Sequence, residues 1–221
     1  MKKPTNYWAS FEEEGTYHIY NRGINRCNIF TLPKNYHFFL SKWKKLIHPF
    51  FEVAAYCLLP NHFHFLVSVR PITPALMKSV KQQRTSKSVK FLAGEISYNT
   101  FLEDQFKRLF SSYALAFNKQ ENRTGSLFQK RFKRVRINSE LKLWNTLAYI
   151  HHNPIHHRYE REYGHWEFCS YQAYGAEQTS LLAREKVLNW FNIDRQKAMQ
   201  AFLRHHESFK LEKLGVDYDG Y

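Results

Sequence analysis

The sequence predicts an α+β sandwich, an antiparallel sheet with helices packed on one face. Three observations predict it. Short β-favouring runs fall at 15–22, 51–59 and 62–70, amphipathic helical spacing falls at 34–48 and 103–119, and the two kinds alternate as β-α-β-β-α-β-α.

Taken in order, GTYHIYNR at 15–22 is the first strand, and Gly23 punctuates the basic loop NRGINRCNIF that follows. Residues 34–48 place Phe38, Phe39, Trp43, Leu46 and Ile47 at helical intervals with lysines opposite, and Pro49 stops that helix. FEVAAYCLL at 51–59 and HFHFLVSVR at 62–70 are strands joined by a Pro60–Asn61 turn, an antiparallel hairpin. The polar stretch 71–100 reads either as a solvated helix or as a mobile loop that orders on a charged ligand. Phe106, Leu109, Phe110, Tyr113 and Phe117 mark the next helix, and 125–137 reads as a turn and a strongly basic strand. A helix then starts at the N-cap Ser139 and is expected to end before Asn153–Pro154. One or two helices complete the chain.

The 221 residues fit one domain at 1–175 with a helical extension at 176–221. An apolar fraction of 43% and an aromatic fraction of 17% support a packed globule rather than a disordered chain. No apolar run approaches the roughly 18 residues of a membrane span, and the N-terminus lacks the apolar stretch of a secretory signal. The expectation is a cytoplasmic protein with no membrane partner. Cys27, Cys57 and Cys169 are odd in number and far apart, which argues for reduced thiols rather than a disulfide framework or zinc ribbon. Lys and Arg total 33 against 19 acids, a formal charge of +14, and an excess of that size attracts nucleic acid.

Three constellations carry chemistry. His62 and His64 alternate with Phe63 and Phe65, so on a strand both imidazoles point one way and both phenyl rings the other. Such a pair can clamp a divalent cation, or can simply be two polar residues on a wet face. Tyr149 stands in LAYIHHNP, with Asn153 one helical turn on, where an amide oxygen could reach the same cation. The neighbouring His151, His152, His156 and His157 read as solvated or phosphate-facing, because Pro154 interrupts their spacing. In QKRFKRVR at 129–136, strand alternation puts Lys130, Phe132 and Arg134 on one face and Arg131, Lys133 and Arg136 mostly elsewhere. Cations interleaved with aromatics suit a strand tracking a phosphate backbone, and a solvated charge run is the alternative.

Together these residues resemble the REP-associated tyrosine transposases, relatives of the single-tyrosine HUH transposases of insertion sequences. The likeness rests on YHIYNRGINRCNIF at 17–30, LPNHFHFLV at 59–67, GSLFQKRFK at 125–133, YIHHNP at 149–154 and WEFCSY at 166–171, in the family's order. The resemblance implies a ferredoxin-like (RRM-like) core. It maps the metal-binding histidines onto His62 and His64, the further metal ligand onto Asn153, and the nucleophile onto Tyr149. It implies Mg²⁺ or Mn²⁺ as cofactor and single-stranded or hairpin DNA as partner, with Arg22, Arg26, Lys130, Arg131, Lys133, Arg134 and Arg136 as DNA-binding residues. Cys169 stands where relatives more often have Ser, and the stretch 71–100 is longer than in compact relatives. Monomer and homodimer both stay open.

The implied activity is DNA nicking and strand transfer through a 5′-phosphotyrosine. A cation at the site would polarise the scissile phosphate and stabilise the leaving oxygen. A tyrosine hydroxyl, with an ordinary pKa near 10, needs help to lose its proton. Two other readings remain: an idle nucleic-acid-binding protein of the same fold, and a metal phosphodiesterase that uses water and forms no adduct.

Overall fold

A computed structural model describes residues 5–176 and 180–209. Its sheet has four strands, β1 (Thr16–Arg22), β2 (Phe51–Leu59), β3 (His62–Val69) and β4 (Lys133–Ile137), in the order β2-β3-β1-β4 with every pairing antiparallel. With α1 (Pro33–Leu46) between β1 and β2, and α4 (Tyr98–Gln120) between β3 and β4, this is the ferredoxin-like arrangement. The stretch expected as helix or loop at 71–100 is two short helices, α2 (Pro74–Gln83) and α3 (Ser86–Leu92), leading into α4. Side-chain oxygens of Thr73 and Thr85 cap them, and Leu76 and Val80 anchor α2 in the core.

Register shows which residues share a face. Arg22 stands opposite His62, Tyr20 opposite His64 and His18 opposite Leu66. Cys57 and Leu59 lie beyond them on β2, and Lys133 and Val135 on β4. The other face of β3 presents Phe63 and Phe65 to α1 and α4. Trp43 stacks on Phe65 with ring centroids 3.6 Å apart and planes 7° from parallel, and Phe39 and Phe110 close on Phe63.

The histidine face is covered as well, by α5 (Glu140–His156), whose Tyr149 ring meets both His18 and His64 edge-on. Helices therefore flank the sheet on both sides, not on one as the sequence suggested. The reason is that β3 is apolar or closed off on both faces, and every residue except Ser68 is buried. The α5 helix also runs past the expected stop, through Pro154 to His156. Proline disfavours helical backbone at the residue before it, but Ile150, Asn153 and Pro154 are all buried on this helix, and packing overrides the local preference. The basic strand is shorter than predicted. Phe128 bridges Gly23 in isolation, and continuous pairing begins only at Lys133.

Both sheet edges are covered. Tyr7 and Ala9 exchange backbone hydrogen bonds with Arg134 on the β4 side. On the β2 side, Leu58 N–H donates to Phe168, Trp166 Nε1 donates to Leu58, and Tyr174 Oη donates to Ala54. Of the C-terminal extension, 180–209 includes α6 (Arg184–Leu188) and α7 (Arg195–Glu207), as the helical expectation has it, while 177–179 and 210–221 lie outside the described residues.

A buried hydrogen-bond chain ties α7 to α5. His206 Nδ1–H donates to the Phe202 carbonyl at 2.8 Å, so its Nε2 accepts from His151 Nδ1–H, also 2.8 Å. His151 Nε2 then accepts from the Ser170 hydroxyl at 2.8 Å, and Ser170 Oγ accepts the Tyr56 N–H at 2.8 Å. This corrects the reading of His151 as solvated: it is 1% exposed and belongs to the core.

Two predictions follow from this packing. Trp43→Ala should cost about 3–5 kcal/mol, read as a lower urea midpoint with an unchanged slope. Burial holds His206 down at about 3, against 6.5 when free. The unfolded chain therefore takes up that proton first, and the stabilisation is complete above pH 6.5 and lost as pH falls toward 3. Urea midpoints should drop from pH 7 to pH 5, and His206→Gln should flatten the decline.

Candidate active site

The site lies where β1 ends, β3 begins and α5 crosses them. His62 and His64 share a face with ring centroids 5.2 Å apart, and both are buried, as are Tyr149 and Asn153. An open notch of about 20 Å³, room for one water-sized occupant, is bounded by both histidines with Tyr20, Asn21, Arg22, Gln129 and Lys133.

Hydrogen bonding sets the protons. Asn61 Nδ2 donates to the Arg26 carbonyl, which turns Asn61 Oδ1 toward His62 Nδ1 at 2.6 Å. An amide oxygen only accepts, so Nδ1 carries the proton and Nε2 keeps its lone pair. That Nε2 is buried with no hydrogen-bond partner. Asn153 Nδ2 donates to the Tyr149 carbonyl at 2.9 Å, which leaves Asn153 Oδ1 as the second buried acceptor with none. Asn153 faces His62 closely enough to favour the ring's protonated form, yet burial, reinforced by His157 and Arg22, pushes His62 down to about 3. At neutral pH the two groups are thus neighbouring acceptors with no proton to share. Such a pair of N and O donors fits a divalent cation.

His64 Nδ1 meets His18 Nε2 at 2.9 Å, and the His18 and Tyr20 rings stack beside it. Burial drives His64 well below its ordinary value, with His18 and His62 adding to the shift, and drives His18 to about 3. These are neutral imidazoles whose partners fix their ring orientation.

Several of these residues were not evident in the sequence. His18 pairs with His64 only through a strand register that one sequence does not reveal. Asn61 reads as a turn residue and nothing more. His157, expected to be solvated or phosphate-facing, has its ring centroid 4.7 Å from that of His62. Its signal was available: positions 149, 153 and 157 are spaced by four, and they share a face once the helix is known to continue.

The basic residues divide. Arg22 and Lys133 line the notch, Lys130 and Arg131 are exposed beside it, and Arg26 is exposed on the loop after β1. Arg136 pairs with Glu12 at 2.5 Å while staying exposed. Arg134 is a correction, because it is 9% exposed, paired with Glu103, and packed over the Phe11 ring. The predicted faces also change. Arg134 and Arg136 lie on the α1/α4 side, and of the cations on β4 Lys133 alone shares the histidine face.

Among curated proteins, a "Putative REP-associated tyrosine transposase" of Haemophilus influenzae is 27% identical over 123 residues, covering 55% of this chain and 59% of that protein. This chain resembles the REP-associated tyrosine transposases. The match spans about three-fifths of that relative's length. Among solved structures, one described as a REP-associated tyrosine transposase bound to a REP hairpin aligns with a TM-score of 0.48 at 16% identity, over 80% of this chain and 90% of that one. No family model matches. Among the described residues, no three His, Cys, Asp or Glu side chains group as a metal cluster, and no helix is long and apolar enough to cross a membrane. The candidate donor set includes an amide and so falls outside such a grouping.

One substitution tests the proton arrangement. Asn61→Leu removes the acceptor that holds His62 Nδ1. Calorimetry with Mn²⁺ reads whether the pair takes a cation, and Asn61→Leu should weaken any such binding by about 10–100-fold, with the fold retained by circular dichroism.

Proposed function

We propose that this chain cuts and rejoins single-stranded DNA, with Tyr149 as nucleophile and a Mg²⁺ or Mn²⁺ ion held by His62, His64 and Asn153. One observation carries the reading: His62 Nε2 and Asn153 Oδ1 are neighbouring buried acceptors, neither with a donor, one helical turn from a tyrosine packed on His64. A cation there would polarise the scissile phosphate and stabilise the leaving 3′ oxygen.

The protein's own residues do the rest. Tyr149 and Asn153 are spaced by one turn of α5, so nucleophile and ligand move together as parts of one rigid element. The His18 and His64 rings hold the Tyr149 ring edge-on and restrict its rotation. Arg22 and Lys133, which line the notch, would receive the phosphate and draw off its negative charge, which otherwise repels the attacking oxygen. Attack by Tyr149 Oη forms a bond to phosphorus as the bond to the 3′ oxygen breaks, giving a 5′-phosphotyrosine and a free 3′-OH. The ester is conserved, so a 3′-OH on another strand can reverse the step without ATP. The name of the Haemophilus relative agrees with this activity, and a formal charge of +14 suits the DNA partner.

The test is a denaturing gel of the protein with labelled hairpin DNA and Mn²⁺. Wild type should give an adduct that survives denaturation, and Tyr149→Phe should abolish it. His62→Ala should reduce it at least about 100-fold. Cleavage without an adduct, unchanged in Tyr149→Phe, would instead show a water-using phosphodiesterase. Binding without cleavage would show an idle DNA-binding protein.

A further inference from the structure

Beside the notch runs a second and much larger depression, an open groove of about 670 Å³ between α4 and the segment 126–132. Its size suits a ligand of nucleotide dimensions. The two spaces share walls: Asn21 and Gln129 line both, and Asn21 Nδ2 donates to the Gln129 carbonyl at their junction. A strand leaving the notch would pass over the exposed Gln129 to reach the groove on the α4 side.

The groove holds an indole that the core does not use. Trp8 is 50% exposed, one of the largest apolar side chains left facing solvent. It is not loosely held. The backbone on either side of it is clamped to β4, where Arg134 N–H donates to Tyr7 at 2.8 Å and Ala9 N–H donates to Arg134 at 3.3 Å. The Arg131 guanidinium sits 5.9 Å from the Trp8 ring centroid. Lys107 on α4 and Lys130 add positive charge along the walls, and the one carboxylate there, Glu103, is already paired with Arg134. A solvent-facing aromatic on a clamped backbone among cations is an arrangement that stacks unpaired bases while tracking their phosphates.

We propose that this groove seats unpaired nucleotides flanking the DNA cut at Tyr149, with a base stacked on Trp8 and phosphates on Lys107 and Lys130. The proposal rests on the function proposed above, and it adds where the single strand runs outside the cleavage site.

The experiment compares two hairpin DNAs, one blunt and one with a short unpaired extension carrying 2-aminopurine, a base whose fluorescence is quenched by stacking. Wild-type protein should quench the extended probe and bind it more tightly than the blunt hairpin. Trp8→Ala should lose the quenching and about tenfold in affinity for the extended probe, with blunt-hairpin binding unchanged, and Trp8→Phe should restore much of both. Lys107→Ala, on an exposed helical position, should weaken the extended probe selectively. Equal affinity of Trp8→Ala and wild type for the extended probe, equal losses on both DNAs, or no quenching would each overturn the groove assignment. The Tyr149 adduct is scored separately on the extended hairpin at saturating protein. Its absence from wild type would overturn the catalytic reading while leaving the stacking result to stand by itself.

Discussion

The alternation of β3 is the constraint on which the rest depends. A strand sends successive side chains to opposite faces, so His62–Phe63–His64–Phe65 commits one side to chemistry and the other to the core in four residues. The two roles cannot be separated. A register slip by one residue would turn the phenyl rings toward Tyr149 and drive the imidazoles into the stack of Trp43, Phe39 and Phe110. The aromatic core that anchors Phe63 and Phe65 is therefore also what aims the histidines.

Burial then determines what those histidines can do. Away from water the charged imidazolium is disfavoured, and His18, His62 and His64 are all held neutral. Neutral rings keep a lone pair, and each needs its proton placed by a neighbour. For His62 that neighbour is Asn61 in the hairpin turn, and for His64 it is His18 across the strand. The turn joining β2 to β3 thus has two jobs, reversing the chain and selecting a tautomer.

How much of this was legible depends on whether local or tertiary information decides each feature. The strands at 15–22, 51–59 and 62–70 and the helices around 34–48 and 103–119 follow from side-chain period, which one sequence carries. The shared face of His62 and His64 is legible for the same reason. His18 was not, because its place diagonal to His64 on the neighbouring strand needs the register. The end of α5 was misjudged because Pro154 is a strong local stop signal that buried neighbours outweigh, and missing that extra turn hid His157. Arg134 was read as a phosphate contact because nothing nearby in the chain announces Glu103, 31 residues away. His151 was lost in a run of histidines whose members face different surroundings.

The covered sheet edges have a consequence for assembly. An exposed edge strand is the usual place where two copies of a chain, or a chain and an extended peptide, join by extending one sheet into the next. Here the backbone of Tyr7–Ala9 occupies one margin, and the segment from Trp166 to Tyr174 occupies the other. Among the described residues both margins carry the chain's own segments, and the sheet has four strands. A pairing between copies of this protein that leaves these segments in place would be made through helices and loops, side chain against side chain. Its specificity would reside in surface residues that can vary without disturbing the sheet that carries the site.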